Sequence, residues 1–170
     1  MSHSTRGTED DFDIIEHIPT LRGFAWALTR RHEDVDDLVQ ETLTKAIAKS
    51  HLYRRGTNLR AWLVTIMRNT FYNDVAKRSR ERTGQVDCVS SRPSTKPTQE
   101  WSLRGKEMQR VIAEMPAHYR EILIFVVMLG GTYEDATEVF GIAMGTVKSR
   151  VARARAIVLE ELGEDRLENI

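Results

Sequence analysis

The 170-residue sequence has one cysteine, Cys88, and no apolar run close to the roughly 20 residues that a membrane-spanning helix needs. A single cysteine excludes an internal disulfide, and no Cys/His cluster has a zinc-ligand spacing. The first 13 residues are polar and acidic, unlike a signal peptide. We therefore expect a cytoplasmic protein with no metal, no cofactor and no membrane insertion.

The sequence also lacks the usual marks of an enzyme. Its five histidines are scattered, and no carboxylate cluster, paired nucleophile and base, or glycine-rich phosphate loop stands out. This argues against catalysis and against a small-molecule substrate.

The formal net charge is zero, which at first argues against nucleic-acid binding. The charges are unevenly distributed, however. Residues 1–50 carry 6 basic and 10 acidic groups, whereas residues 51–82 carry 8 basic and 2 acidic ones. Residues 144–158 carry four basic groups and no acidic one, between two acidic stretches. Two basic surfaces beside an acidic one indicate more than one partner.

Glycine, proline and Ser/Thr residues interrupt the helical spacing between Thr83 and Glu100, which predicts a flexible linker. On both sides the apolar spacing is helical, with no convincing strand alternation. The apolar run Ile122–Leu129 also fits a buried strand, but its position between Pro116 and Gly130-Gly131 favours a buried helix. We predict an all-α fold of two small domains, 8–82 and 102–165, joined by a linker at 83–101.

One helix of the first domain carries an apolar stripe and an acidic face. The stripe comprises Val35, Leu38, Val39, Thr42, Leu43, Ala46 and Ile47. Asp37, Gln40 and Glu41 project to the opposite face, and Asp34 lies in the first turn, where a carboxylate favours the helix dipole. A solvated acidic surface explains these residues as well as a partner site does.

The next helix begins after Asn58, the expected N-cap, and ends in the basic tract Lys77–Arg82. Its predicted core stripe is Leu59, Trp62, Leu63, Ile66, Met67 and Val75. Aromatic rings, amides and cations combine in the chemistry of single-strand capture. The residues that fit it are Arg68, Asn69, Tyr72, Asn73, Lys77, Arg78 and Arg80. A core aromatic followed by a solvated charge run remains the alternative.

The second domain contains a helix-turn-helix pattern. Thr132 and Asp135 form a loose capping box, a short helix should run to about Phe140, and Gly141 can adopt the left-handed turn conformation. A basic helix should then begin near Gly145 or Thr146. Two short helices around a glycine turn, the second one basic, are typical of major-groove recognition.

The basic helix separates into a buried and an exposed side. Val147, Val151, Ala154 and Val158 share the predicted core side. Ser149 and Arg153 lie near the centre of the outward face, where Arg153 can reach a guanine edge. The angles of Lys148, Arg150 and Arg155 suit phosphates, and amides near Thr146 suit a further phosphate at the helix N-terminus.

Four segments carry a family resemblance over nearly the whole chain. They are Asp36-Asp37-Leu38-Val39-Gln40-Glu41-Thr42, Asn58-Leu59-Arg60-Ala61-Trp62-Leu63, Arg68-Asn69-Thr70, and Gly145-Thr146-Val147-Lys148-Ser149-Arg150 with Arg153-Ala154-Arg155. The chain resembles bacterial sigma-70 factors of the extracytoplasmic-function (ECF) type. Residues 56–63 are also similar to the group that serves general stress responses. Many relatives have Ser or Pro before the recognition helix, where this chain has Ile142–Gly145, so a side-chain cap is missing.

The resemblance implies a role for each surface. Residues 8–82 would be a region-2-like domain whose acidic helix (Asp34, Asp37, Gln40, Glu41) binds the β′ clamp helices of core RNA polymerase and whose next helix captures the melted −10 strand. Residues 102–165 would be a region-4-like domain that reads the −35 duplex and rests on the β flap. It further implies an anti-sigma factor as partner. The alternatives are a sigma-like mimic that binds an anti-sigma factor without DNA, and a simple helix-turn-helix activator.

Overall fold

The computed structural model describes residues 13–82 and 103–162. Within these ranges the chain is helical and has no strand, which confirms the all-α prediction. The helices are α1 (Ile18–Thr29), α2 (His32–Ala48), α3 (Leu59–Arg82), α4 (Leu103–Glu114), α5 (Ala117–Leu123), α6 (Tyr133–Phe140) and α7 (Met144–Leu162). A 3₁₀ turn at Ser50–Leu52 follows α2, and a π turn at Ile124–Met128 continues α5. The predicted linker at 83–101 lies outside the described residues.

Helices α1, α2 and α3 pack together in the first half of the chain. Leu21 and Phe24 of α1 are fully buried, as are Leu63 and Met67 of α3. The start of α3 is capped as expected, because the Asn58 Oδ1 accepts a hydrogen bond from the Ala61 amide at 3.1 Å.

Two residues of the predicted core stripes are in fact exposed. Ile47 is 58% exposed in the last turn of α2, and Val75 is 46% exposed on α3, whereas Ala61 and Val64 are buried. Helix α3 has 24 residues and is about 36 Å long, whereas α1 and α2 have 12 and 17. The second half of α3 therefore extends beyond full cover by its neighbours.

Helices α4 to α7 form the second half, with α5 and α7 in extensive contact. The apolar run is helical from Ile122 to Met128, as predicted, but its last turn is π-helical: the Leu129 amide donates to the Ile124 carbonyl at 3.0 Å. The wider turn brings the backbone at Gly131 against the Phe125 ring. A Cβ at Gly131 would lie 2.4 Å from that ring, so only glycine fits without a shift.

The two halves pack against each other through an aromatic cluster. Phe24 of α1 lies 6.4 Å from both Phe125 and Phe140, measured between ring centroids, and Phe125 meets Phe140 edge-on at 5.7 Å. Buried side chains from both halves thus belong to one hydrophobic core. We call this contact between α1, α3 and the α5–α6 segment the interdomain seam.

Over residues 13–82 and 103–162, no helix is both long and apolar enough to cross a membrane. In the same ranges, His, Cys, Asp and Glu residues form no group of three or more suited to holding a metal ion.

Candidate nucleic-acid and polymerase interfaces

The helix-turn-helix is built by the capping interactions that its sequence indicates. The Asp135 amide donates to Thr132 Oγ1 at 3.0 Å, and the Thr132 amide donates to Asp135 Oδ2 at 3.1 Å, which completes a capping box. Gly141 ends α6 at φ 63°, in the left-handed region. Helix α7 begins at Met144, one or two residues before the predicted start.

Helix α7 has the two faces that the helical projection predicts. Val147, Val151, Ala154 and Val158 are at most 5% exposed. The opposite face presents four exposed residues and one half-buried arginine, namely Lys148, Ser149, Arg153, Arg155 and Arg150. Between Lys148 and Arg155 the helix rises about 10 Å, a length that fits within a major groove.

The basic side chains of α7 are available for an external anion. Across the described parts of the chain, none of its arginines and lysines lies within ion-pair distance of a carboxylate. Ser149 Oγ donates to the Thr146 carbonyl at 3.1 Å, so its lone pairs remain as acceptors. The Thr146 amide already donates to the Ala143 carbonyl at 2.9 Å, which leaves it poorly placed as a phosphate donor.

The seven residues predicted to face the −10 strand do not share one surface. Asn69, Asn73, Lys77 and Arg80 are exposed along one side of α3, at helical spacing. Arg78 lies on another side, where it lines a cleft of about 270 Å³ together with Asp34, Asp37 and Glu41 of α2. Arg68 and Tyr72 lie on a third side, at the interdomain seam.

At the seam, Arg68 and Tyr72 both bind Glu121 of α5. Arg68 Nε lies 3.0 Å from Glu121 Oε2, and the Tyr72 hydroxyl donates to Glu121 Oε1. The Arg68 guanidinium also lies 5.0 Å from the centre of the Tyr72 ring and 5.4 Å from that of Phe140. Burial, and then the hydrogen bond to Glu121, raise the pKa of Tyr72 to about 12.

Of the four predicted polymerase contacts on the acidic helix α2, two form ion pairs with nearby basic side chains and the other two are exposed. Asp34 pairs with Arg31 at 3.5 Å, and Glu41 pairs with Lys45 at 2.6 Å. Asp37 and Gln40 are exposed. Since exposed ion pairs contribute little, these partners are readily exchanged for those of another protein.

Sequence reasoning missed the residues that hold the seam together. Arg60 of α3 donates to the carbonyls of Leu129 and Gly130, the latter at 3.0 Å. Arg120 of α5 is buried and donates to the Ala27 carbonyl at 2.7 Å; burial, and then the nearby Arg30, lower its pKa. The Arg120-Glu121 pair directly before an apolar run is the signal that could have revealed buried charges.

Comparisons with known proteins agree with this architecture. The Sigma-70 region 2 family matches residues 14–81, and the Sigma-70 region 4 family matches residues 105–158. An ECF RNA polymerase sigma factor, EcfG of Rhodopseudomonas palustris, is 42% identical over 144 residues, which cover 85% of this chain and 80% of the relative. This chain belongs to the ECF sigma factors of the sigma-70 family.

Two further similarities support the assignment of this sigma factor. The ECF sigma factor SigC of Mycobacterium tuberculosis is 34% identical over 137 residues, 78% of this chain and 72% of the relative. Among solved structures, the sigma factor RpoE of Bartonella quintana in complex with the anti-sigma factor NepR has a TM-score of 0.80 and 39% identity. That match covers 94% of this chain and 100% of the other.

Proposed function

We propose that this ECF sigma factor binds core RNA polymerase through α2 and directs it to promoters that it reads through α7 and α3. In this proposal, α7 contacts the −35 duplex and α3 contacts the melted −10 strand. The protein catalyses no reaction itself and acts in the cytoplasm, where the polymerase and the chromosome are. The observation that carries the proposal is the acid-free, exposed basic face of α7 in a chain whose relatives are named RNA polymerase sigma factors.

The four basic side chains of α7 and Ser149 would divide the work at the −35 element. Arg153 at the centre of the exposed face suits a guanine edge, because two guanidinium N–H groups match the two acceptors of guanine. Lys148, Arg150 and Arg155 on the flanks suit phosphates. Thr146 belongs to this surface through its side chain, since its amide is engaged within the helix.

The −10 contacts would come first from the exposed side of α3 that carries Asn69, Asn73, Lys77 and Arg80. This side combines amides, which can read base edges, with cations, which hold phosphates. Arg68 and Tyr72 would add to it only when they are not bound to Glu121. Arg78 faces the acidic cleft beside α2, so its contribution would be to phosphate rather than to a base.

For α2 we propose that Asp37 and Gln40 are the main polymerase contacts, with Asp34 and Glu41 beside them. The adjacent residue Asp36 provides a matched control, because it is also an exposed aspartate but pairs with Arg22 at 2.9 Å. Asp36 and Asp37 differ by about 100° around the helix, so they face different directions.

Run-off transcription with core RNA polymerase from the same bacterium tests the proposal. The wild-type protein should give promoter-dependent transcripts from start sites found by transcript mapping. Asp37→Asn should lose both transcription and polymerase binding, whereas Asp36→Asn should retain both. Equal behaviour of the two variants would contradict the assignment of this face, and a well-folded wild type that initiates nowhere would contradict the function itself.

An anti-sigma factor is the further partner that we propose, by similarity to the RpoE structure, which was solved with the anti-sigma factor NepR. We also propose that the target genes serve a stress response, as the resemblance of residues 56–63 suggests. Transcript profiles of a deletion strain under heat, oxidative and osmotic stress test this second point. Unchanged induction of all stress genes in that strain would exclude it.

A further inference from the structure

The outward face of helix α2 carries carboxylates whose charge is only partly neutralised. Asp34, Asp37 and Glu41 lie at positions i, i+3 and i+7, so they share one side of the helix. Asp37 is exposed. The side chains of Asp34 and Glu41 remain 47% and 43% exposed, although they pair with Arg31 and Lys45. We call these three carboxylates the acidic row.

Helix α7 carries a face of opposite charge and equal length. Lys148 and Arg155 are exposed and seven residues apart, which places them on the same side of the helix and about 10 Å apart along its axis. Ala152 lies between them and is also exposed, and its small side chain lets another helix approach closely. Among the described residues, no carboxylate lies within ion-pair distance of either cation. We call these three residues the basic row.

The two rows match when the helices are placed antiparallel. The acidic row also spans seven residues, so a charge at each of its ends comes opposite a charge of the other sign. The opposing pairs are Asp34 with Arg155 and Glu41 with Lys148, and Asp37 comes opposite Ala152, between the two cations. The antiparallel arrangement is also the favourable one for the two helix macrodipoles.

One molecule cannot join its own two rows in this packing. Helix α2 packs against α1 and α3, whereas α7 packs against α4, α5 and α6. Within residues 13–82 and 103–162, no ion pair joins α2 to α7. Both rows therefore face solvent, where a second copy can supply the opposite charge. The formal net charge of zero leaves no long-range repulsion to oppose the approach of two copies.

We propose that the free protein self-associates head to tail, with the acidic row of one copy paired to the basic row of the next. Each contact uses a different face of each partner, so every copy offers one face of each kind. The contact is small and electrostatic, which makes it sensitive to salt and readily exchanged for a stronger partner. Its consequence for transcription rests on the proposed function, because the paired rows would be hidden from polymerase and from the −35 duplex.

Charge reversal at one residue of each row tests the pairing. Asp37→Lys places a cation between the two cations of the opposing row, and Arg155→Glu places a carboxylate opposite Asp34. Asp36→Lys and Arg110→Glu are the matched controls, because each makes the same charge change at an exposed residue outside the rows. Far-UV circular dichroism verifies the helix content of every variant. The ratio of absorbance at 260 and 280 nm excludes bridging by copurified nucleic acid.

Sedimentation velocity on the full-length protein measures the average mass at concentrations from about 10 to 200 µM. In about 50 mM salt, the average mass of the wild type should rise with concentration. In about 500 mM salt it should remain that of a monomer, because the charges are then screened within a few ångströms. Each row variant alone should associate at least about tenfold more weakly, since like charges oppose each other across the contact. Both controls should match the wild type.

An equimolar mixture of the two row variants gives the decisive result. Asp37→Lys retains an intact basic row, and Arg155→Glu retains an intact acidic row. The mixture should therefore associate, although neither variant does so alone. Non-specific aggregation does not produce complementation of this kind.

Three results would overturn the proposal. The first is a wild type that remains monomeric at about 200 µM in low salt. The second is equal weakening by a row variant and its control, which would indicate dependence on net charge alone. The third is a mixture of the row variants that stays monomeric. The sedimentation samples contain neither polymerase nor DNA, so failure of the self-association is distinguishable from failure of the proposed function.

Discussion

Replacing Gly131 by alanine should destabilise this protein, whereas the same replacement at Gly145 should stabilise it. A Cβ at Gly131 would lie 2.4, 2.7 and 2.8 Å from three carbons of the Phe125 ring, so the ring must move by about 1 Å to reach ordinary contact. Phe125 is fully buried between Phe24 and Phe140. Overpacking of this kind typically costs about 1–3 kcal/mol of the free energy of unfolding.

At Gly145 an added Cβ meets nothing within 4 Å, and the residue lies in the first turn of α7. Alanine restricts the unfolded chain and favours the helix, which should add about 0.5–1 kcal/mol. At about 2–4 °C per kcal/mol, the two variants should differ in Tm by roughly 3–16 °C. Neither glycine has a positive φ, so backbone strain does not confuse the comparison.

Thermal unfolding followed by circular dichroism at 222 nm measures both variants, and urea denaturation gives the corresponding free energies. A Gly131→Ala protein as stable as the wild type would refute the reasoning, because it would mean that the Phe125 ring is free to move within the seam. The seam would then be loosely packed, and the aromatic cluster could not couple the two halves.

Two further predictions concern the functional surfaces. Arg153→Ala should weaken binding to a mapped −35 duplex by about 1–3 kcal/mol and relax the base preference at one position. Lys148→Ala should instead weaken binding to all DNA sequences alike and reduce the slope of log affinity against log salt concentration by about 1. Binding titrations at several salt concentrations distinguish the two variants, and equal effects would contradict the assignment. Because the pKa of Tyr72 is raised to about 12 in the folded protein, the proton on Tyr72 favours the folded state fully below pH 10, and this contribution is lost as the pH rises towards 12. In absorbance titrations at 295 nm, Tyr72→Phe should remove a component near pH 12, and loss of one near pH 10 instead would contradict the role of burial.

Local features of the fold could be predicted because they depend on residues close together in the chain. The caps at Asn58 and Thr132 and the turn at Gly141 each use side chains or dihedral angles within three residues of the helix end. The buried side of α7 follows from helical periodicity alone. The predicted core stripes failed at Ile47 and Val75, because burial there depends on how far neighbouring helices extend.

The candidate site could be predicted only in part. The exposed face of α7 and the two exposed residues Asp37 and Gln40 lie where helical spacing puts them. The predicted −10 residues are divided among three sides of α3. Each residue of a helix advances the side-chain direction by about 100°, so Asn69 and Arg78 point away from the side of Arg68 and away from each other. Their assignment as a single set was a composition argument, which ignores direction around the helix.

The sequence by itself determined helices α2, α3, α5, α6 and α7, the caps at Asn58 and Thr132, the turn at Gly141, the two basic surfaces and the family. Only the tertiary structure decided that Arg68 and Tyr72 meet Glu121, about 50 residues away, and that Arg60 reaches Leu129 and Gly130. The reason is physical. Helix formation and capping are governed by interactions over a few residues, whereas contacts across the interdomain seam depend on how two folded surfaces fit together. No periodicity in the chain encodes that fit.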